Sequence, residues 1–416
     1  MGVATAPSAP VAPSAPAPPC APYGPGRAHW LRVARDVADD LATDAVAREQ
    51  AGKVPFDEVA RLREAGLLTL LAPAGAGGGG ADWPTAYAVV REIGAADGAI
   101  GQLLGGHYFL SWSAGSLAEP ALAAPMVRRS TAGQWCWGGD LTGREPLPTL
   151  TGTAGGQVLT GRQGYATGVL VADRLAVRAV RAGTGEAVAV VVDPARSGVR
   201  TGDGPGTFGQ RLAAGGSVEF DAVTVADDEV LGTLPSDEDA QSPAAALASP
   251  VGRLVSAHLL LGMAEGVLSE AREYSRAGHA PRPPAWPAGS LHDPQVLASY
   301  GELTLLTRSA SALTGQALEA LRDGLGRGEA LTHDEHAEIS VLVALAETAA
   351  SRAAQESTTR ALDIVGPRSA SAPLGLDRFW RNARTHTLYE PVTHRLRDVG
   401  DYFLNGAHPP FGPSPA

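Results

Sequence analysis

Residues 377–391 read DRFWRNARTHTLYEP, a dense run of aromatic and polar side chains with helical character. His386, Tyr389 and Glu390 lie at i, i+3 and i+4, which places them on one helix face with Cβ atoms within about 6 Å of each other. Pro391 disfavours helical geometry at Glu390, so a kink or a helix end is expected there. Three polar side chains on one face predict a shared cavity. The alternative is an exposed helical pair of His386 and Glu390.

Apolar residues recur at three-and-four spacing on both sides of this segment, which predicts helices. They form four stripes, the number required for an up-and-down four-helix bundle over residues 250–408. Thr332 and Glu335 form a capping box at the start of the third helix. The stripes run from Val251 to about Ala277, Pro294 to about Leu325, Asp334 to about Val365, and Leu376 to about Phe403.

The pattern changes to a period of two, with frequent glycine, between residues 133 and 232. Such evenly spaced short strands are typical of a small barrel or sandwich. Residues 233–249 are acidic and rich in Ala, Pro and Ser, which predicts a linker. The predicted strands are Val158–Thr160, Val169–Val171, Leu175–Val180, Ala187–Val192, Val199–Thr201 and Ser217–Val225.

Residues 28–132 again show helical periodicity and predict an N-terminal α-helical domain. Residues 1–27 are rich in Pro and Ala and predict a disordered tail, and residues 409–416 form a second short tail. The glycine run at 75–80 satisfies GxGxxG, but a predicted helix precedes it where a dinucleotide site needs a strand. An α+β protein with three domains is therefore expected.

Composition excludes several classes of function. The 416 residues carry a net charge of −11 without a Lys/Arg cluster, which argues against nucleic acid or an anionic membrane as partner. No apolar run reaches the length of a membrane-spanning helix. Cys20 and Cys136 are too few for a disulfide framework, so a cytoplasmic location is predicted.

No metal is predicted. His333, His336 and Glu338 lie close together after Thr332, but no further Cys or His at ligand spacing completes a site. They are interpreted as polar residues of a capped first turn. The sequence also has no GxSxG elbow, P-loop or HExxH motif, which removes the simplest support for a hydrolase, an NTPase or a zincin.

Five segments of the chain resemble the acyl-CoA dehydrogenase fold. They are similar in particular to its flavin-dependent monooxygenase branch, typified by dibenzothiophene and alkylsulfone monooxygenases and including indole monooxygenases. The resemblance covers nearly everything from His29 to Pro409. The segments are LTGRQGYATG at 159–168, GQRL at 209–212, RPPAW at 282–286, HDPQV at 292–296, and residues 377–391.

The resemblance implies an N-terminal helical domain, a β-barrel-like domain and a C-terminal four-helix bundle, assembled as a homotetramer. It implies reduced FMN, or reduced FAD, bound between the β domain and the bundle and supplied by a separate flavin reductase. With O2, the flavin C4a-hydroperoxide would oxygenate a small hydrophobic substrate, either a heteroaromatic or an amine- or sulfur-containing molecule. Indole hydroxylation in secondary metabolism is one example.

The resemblance also assigns residues. His386 would sit beside the peroxide, and Tyr389 takes a position where a second histidine is common. Thr167 would face flavin N5, where a hydroxyl accepts the N5 hydrogen. Trp135 and Trp137 would wall the ring system. The phosphate would be held by Arg282 and Arg368 with Ser369, because a guanidinium presents paired donors to phosphate oxygens. His107, Ser111 and Phe208 are expected on the substrate side.

Two alternatives stay open. In a true acyl-CoA dehydrogenase, Glu390 would be the base that abstracts the α-proton. In the other alternative, the protein is an inactive homologue that serves as a scaffold. Residues 204–208 and 213–216 depart from the pattern of the sulfur-oxidising enzymes, which predicts a different substrate.

Overall fold

A computed structural model describes residues 26–118, 120–142, 146–153, 156–204, 206–234, 241–277, 290–389 and 392–411. These residues form a helical domain, a β domain and a second helical domain, in that order along the chain. The predicted α+β class is confirmed. Most of the predicted N-terminal tail, residues 1–25, lies outside the described residues.

The N-terminal domain is helical, as predicted. Its first helix begins at Arg27, and its buried face carries Trp30, Ala34, Ala38 and Leu41 at the predicted spacing. Asp97 starts the fourth helix by accepting hydrogen bonds from two main-chain N–H groups. The helices are α1 (Arg27–Ala51), α2 (Phe56–Glu64), α3 (Trp83–Ala96), α4 (Gly98–Leu117) and α5 (Pro120–Ala132).

Within the described residues, the β domain is one mixed sheet of eight strands, in the order β6-β7-β3-β2-β4-β5-β8, with β1 also paired to β4. Strands β1 and β2 run parallel to β4, and the other pairings are antiparallel. The strands are β1 (Trp137–Asp140), β2 (Thr149–Thr153), β3 (Gly156–Ala166), β4 (Arg174–Arg181), β5 (Ala187–Val192), β6 (Val199–Asp203), β7 (Gly216–Val225) and β8 (Val230–Thr233).

Five of the six predicted strands are confirmed, and the strand predicted at Val169–Val171 is wrong. Gly168 has φ +75° and starts a turn that closes through a hydrogen bond from the N–H of Val171 to the carbonyl of Gly168. The N–H of Leu170 donates to the carbonyl of Ala214, outside any ladder. The three consecutive apolar residues favour a strand by type, but here they form a turn.

The C-terminal domain begins inside the segment predicted as a linker. Helix α6 (Pro243–Ala246) occupies part of that segment, and α7 (Ala248–Arg276) starts before residue 250. Helices α8 (Pro294–Arg327) and α9 (His333–Val365) match the second and third stripes, and the capping box of Thr332 and Glu335 is confirmed.

The fourth predicted helix is two helices, α10 (Asp377–Tyr389) and α11 (Val392–Asn405). Glu390 and Pro391, where proline was expected to end the helix, lie between these two helices and outside the described residues. The predicted tail after residue 408 is also corrected at its start, because the ring of Phe411 packs edge-on against His336 at a centroid distance of 4.5 Å.

Helix α7 lies at the centre of the molecule, packed against α3, α4, α8 and α9. By length and composition the stretch Pro243–Arg276 could cross a membrane, because an 18-residue window within it has a mean hydropathy of 1.4. However, 61% of that apolar window is buried inside the protein, which is the arrangement of a core helix.

Candidate active site

A cavity of about 290 Å³ lies where the three domains meet. Its walls come from α4, from the ends of β1 and β3, and from four helices of the C-terminal domain, α7, α9, α10 and α11. Apolar side chains such as Phe109, Leu141 and Leu260 alternate with polar ones around it. The cavity therefore combines an apolar body with a few polar groups, as small-molecule sites do.

Three predicted site residues meet in this cavity. Thr167 follows the last residue of β3, and its carbonyl accepts a 3.0 Å hydrogen bond from the N–H of Gly139 on β1. His386 and Tyr389 lie in the last turn of α10, on the cavity side. Segments more than 200 residues apart thus bring a hydroxyl, an imidazole and a phenol to one space. The roles assigned to the three side chains stay predictions.

A short loop sets the position of Thr167 relative to His386. We call residues 209–215 the bridging loop. At one end, the main-chain N–H of Gln210 donates to Oδ1 of Asn382 on α10 (2.7 Å), and Nε2 of Gln210 donates to the Asn382 carbonyl (3.2 Å). At the other end, the carbonyl of Ala213 accepts from the N–H of Gly168, directly after Thr167 (3.0 Å). The loop is hydrogen-bonded to both halves of the site.

The bridging loop lies directly on the backbone of α10. A Cβ atom at Gly209 would lie 2.0 Å from the carbonyl oxygen of Arg381, so only glycine fits there. Gln210 adopts φ +57°, a left-handed conformation that is uncommon for a residue with a side chain. Its two hydrogen bonds to Asn382 offset that strain, and both residues are almost fully buried.

The arginines of residues 377–391 hold α10 in place. Arg378 pairs with Glu270 on α7, and Arg381 pairs with both Asp377 on its own helix and Glu49 on α1. The ring of Phe379 is fully buried between these contacts. The motif that identified the segment from sequence therefore anchors α10, and the side chains that face the cavity follow in the next two turns.

Gln210 offers the cavity a hydrogen-bond acceptor. Because its Nε2 group is committed to the Asn382 carbonyl, its Oε1 atom is directed elsewhere, and it meets no donor among the described residues. A buried amide oxygen without a partner is costly unless a ligand or water supplies a donor. Gln210 lines the cavity, so the side chain that carries this unpartnered oxygen lies in the cavity wall.

Tyr165 and Tyr389 form a stacked pair in the cavity wall. Their ring centroids are 5.6 Å apart and the rings are within 11° of parallel. Burial, and then the neighbouring Tyr389, raise the pKa of Tyr165 to about 12. The Tyr165 phenol is therefore neutral at physiological pH and serves as a hydrogen-bonding group and an aromatic surface.

His107 does not line this cavity, and its substrate-side role stays a prediction. Its Nε2 atom lies 2.8 Å from the carbonyl of Leu68, and its Nδ1 atom accepts from the N–H of Trp137 (3.0 Å). Both ring nitrogens are occupied by main chain and the ring is 1% exposed. Burial lowers the pKa of His107 to about 4, so the ring is neutral and holds α4 against the β domain.

Four other predicted contacts also lie outside this cavity. Trp137 is buried with its Nε1 group donating to Ser130, and together with Ser111 it lines a different cavity on the far side of α4. Trp135 stacks under the guanidinium of Arg174. Phe208 is 46% exposed and stacks on Trp380 outside the site. These positions result from tertiary packing that residue type alone does not reveal.

The predicted phosphate ligands are not brought to the cavity within one chain. Arg368 is exposed and Ser369 is buried in a 3-10 turn at Gly366–Ala370, and neither lines it. Arg282 and Glu390 lie outside the described residues. Over the part of the chain that the structure describes, no group of His, Cys, Asp or Glu could hold a metal ion.

Several lining residues were not predicted. Glu347 on α9 is buried beside the cavity, with its carboxylate 3.9 Å from Arg395 on α11. The sequence offered one signal for Glu347, a single carboxylate within an alanine-rich helical stripe. Gln210 was part of a quoted motif, but nothing in the sequence indicated its left-handed backbone. Thr387 lies in the quoted segment 377–391, and the remaining polar lining residues, without any sequence signal, are Gln102, Asp140, Thr142, Ser256 and Ser351.

Comparisons with known proteins agree with this fold. Models of the acyl-CoA dehydrogenase N-terminal and C-terminal domains match residues 29–118 and 254–393. Dibenzothiophene monooxygenase of Rhodococcus erythropolis is 35% identical over 390 residues, 91% of this chain and 93% of its own length. The probable FMNH2-dependent monooxygenase SfnC of Pseudomonas putida is 32% identical over 384 residues, 91% and 95% of the two chains.

A solved structure extends the comparison to ligands. The dibenzothiophene monooxygenase TdsC of Paenibacillus sp. A11-2, in a complex with FMN and indole, is 34% identical with a TM-score of 0.86. The alignment covers 92% of this chain and 98% of that one. The chain therefore belongs to the acyl-CoA dehydrogenase family, within its branch of flavin-dependent monooxygenases. The resemblance inferred from sequence is confirmed.

The structural assignment of His107 predicts a specific pH dependence of stability. The unfolded ring takes up a proton below pH 6.5, whereas the folded ring does so only below about pH 4. Stability is therefore lost as pH falls between these values, by up to about 1.4 kcal/mol per pH unit for one group. His107→Gln should flatten the slope of the unfolding free energy by about that amount, measured by urea unfolding from pH 6.5 to 4.5. His29→Gln, at an exposed histidine, is the control, and an unchanged slope in His107→Gln would contradict the assignment.

Proposed function

We propose that this protein is the oxygenase component of a two-component system that uses reduced FMN and O2 to oxygenate a small hydrophobic heteroaromatic or amine- or sulfur-containing molecule. The observation that carries the proposal is the meeting of Thr167, His386 and the apolar walls in one cavity at the junction of the domains. A separate flavin reductase would supply the reduced flavin, and a cytoplasmic location fits this supply.

The chemistry of the lining fits a flavin ring. An isoalloxazine has a flat apolar body and an edge of alternating N–H donors and carbonyl acceptors. The cavity offers apolar walls together with the Thr167 hydroxyl, the Gln102 amide and the unpartnered Oε1 of Gln210. Gly106 on α4 leaves room beside Thr167, because even a Cβ there would only reach van der Waals contact with the Thr167 methyl group at 3.5 Å. These residues would hold the ring.

When bound in its reduced form, the flavin would supply C4a-hydroperoxide chemistry, in which one atom of O2 enters the substrate and the other leaves as water. The chain contributes binding and proton placement. His386 suits the second task because an imidazole exchanges a proton near neutral pH. The Thr167 hydroxyl accepts one hydrogen bond and donates another. The apolar walls exclude water, which strengthens each of these polar contacts.

The relatives support oxygenation over the main alternative. Each of the named relatives at 32% to 35% identity is a monooxygenase, and one was solved with FMN and indole. An acyl-CoA dehydrogenase would need Glu390 as its base, and that residue was assigned from sequence only. Retention of His386 and Thr167 in one cavity argues against an inactive scaffold.

We propose Arg282, Arg368 and Ser369 as the phosphate ligands, with the exposed Arg368 contributed by a neighbouring subunit.

We further propose a homotetramer. Helix α11 exposes Phe403 and Leu404 at 90% and 80%, and α8 exposes Leu297 and Leu305. Large apolar side chains exposed along two helices are typical of surfaces that become buried on assembly. Multi-angle light scattering should give four times the chain mass of 42.5 kDa. A stable monomer that still binds reduced FMN would contradict this proposal.

The role of His386 is tested by the coupling of O2 consumption to product. His386→Ala should slow oxygenation by about 100 to 1,000-fold and divert O2 to H2O2, because one positioned hydrogen-bonding group is lost. The measurement is product and H2O2 formed per O2 consumed, with reduced FMN supplied by a reductase. His394→Ala, at an exposed histidine on α11, is the matched control. Wild-type coupling in His386→Ala would mean that this histidine is structural.

A further inference from the structure

The substrate end of the cavity has an aromatic wall that no sequence pattern predicted. Tyr165, at the end of β3, lies face to face with Tyr389, at the end of α10, and both rings line the cavity. Tyr389 is 55% exposed, so it stands at the mouth, while Tyr165 is the more buried of the two. The pair joins the β domain to the C-terminal helices directly across the opening.

Two glycines make this position of Tyr165 possible. A Cβ atom at Gly215 would lie 2.2 Å from the Tyr165 hydroxyl oxygen, and a Cβ at Gly204 would lie 2.9 Å from its Cε2 atom. Real Cβ atoms do not approach other atoms so closely, so any side chain at either position would force the ring to move. Because Tyr389 covers one face of the ring, that movement would break the stack. The glycines therefore fix where the Tyr165 ring stands.

We infer that Tyr165, held by Gly204 and Gly215 and stacked on Tyr389, limits the size of the substrate and confines this enzyme to planar aromatic molecules of one or two fused rings. The inference rests on the proposed function and deepens it. At about 290 Å³ the cavity is small for a ligand site, and under that proposal it must also take part of a flavin. Little space is then left for the substrate between Thr167 and the pair of Tyr165 and Tyr389.

The chemistry of the wall fits such a ligand. Aromatic rings favour offset stacking or edge-to-face contact with other aromatic rings, so a planar substrate gains contact with Tyr165 without needing a charge. The phenol is uncharged at neutral pH, because its pKa is raised to about 12. Its hydroxyl is hydrogen-bonded to Tyr389 and, being both a donor and an acceptor, has capacity for a second bond to a ring N–H or a ring heteroatom. A third fused ring would have to occupy the space that the Tyr165 side chain fills.

The test compares a two-ring ligand, indole, with a three-ring ligand, dibenzothiophene. Binding of each is measured by isothermal titration calorimetry on the full-length protein saturated with oxidised FMN, so that the flavin occupies its share of the cavity, and kcat/KM is measured separately with reduced FMN. The wild type should prefer indole in both measurements. Tyr165→Ala should shift the ratio of affinities toward dibenzothiophene by about tenfold or more, the range found when a pocket wall is removed or added. Tyr165→Phe, which keeps the ring, should retain the preference for indole.

Variants of the glycines test whether they fix the position of the Tyr165 ring, while Tyr165 itself is left unchanged. Gly215→Ala should disturb the stack and move the binding ratio away from that of the wild type. Gly206→Ala is the matched control, because a Cβ at that glycine of the same segment meets nothing within 4 Å, and it should bind as the wild type does. If Tyr165→Ala does not fold, Tyr165→Leu replaces it, since leucine also shortens the wall.

Three results would overturn the inference: wild-type protein that binds dibenzothiophene as tightly as indole, wild-type protein that binds neither compound, or an unchanged ratio in both Tyr165→Ala and Gly215→Ala. The binding measurements do not depend on oxygenation. Therefore a wild type that binds indole selectively but produces no oxygenated product with reduced FMN would reject the proposed function while supporting the size limit. Product formation together with an unchanged ratio of affinities in the variants would support the proposed function and reject the size limit.

Discussion

The contact between the bridging loop and α10 is the constraint on which the site depends. Thr167 belongs to the β domain and His386 to the C-terminal helices, and no strand or helix contains both. The loop joins them, because Gln210 is hydrogen-bonded to Asn382 on one side and Ala213 to Gly168 on the other. Since Gly209 rests on the α10 backbone, the loop has no room to slide along the helix. The geometry of the cavity follows from these main-chain contacts.

The ion pairs around the site also hold α10 in position. Arg378 and Arg381 are each paired with carboxylates on other elements, so α10 is held against both α7 and α1. Such pairs contribute little to stability when compared with apolar packing, but breaking one leaves a buried charge uncompensated. Their effect is to specify one orientation of α10. That orientation directs His386 and Tyr389 toward the cavity and leaves Trp380 on the outside with Phe208.

Local features of the site could be predicted from sequence, and non-local ones could not. The shared face of His386 and Tyr389 follows from helical periodicity, and the capping box at Thr332 follows from residues three apart. Thr167 was identified through its motif. The environment of His107 was not predictable, because the groups that occupy its ring nitrogens come from Leu68 and the start of β1. Gly204 and Gly215, beside Tyr165, were visible in the sequence as a departure from the pattern of the sulfur-oxidising enzymes. Their effect could be inferred only once the position of the Tyr165 ring was known.

The central claim is that reduced flavin binds in the cavity between the end of β3 and the end of α10. The most direct measurement is a crystal or cryo-electron microscopy structure of the wild-type protein prepared with reduced FMN under anaerobic conditions. The account predicts that the isoalloxazine ring occupies this cavity, with Thr167 and His386 both in contact with it and the Gln210 oxygen within hydrogen-bond distance of a donor. A flavin bound outside this cavity, or one whose ring contacts neither Thr167 nor His386, would contradict the account.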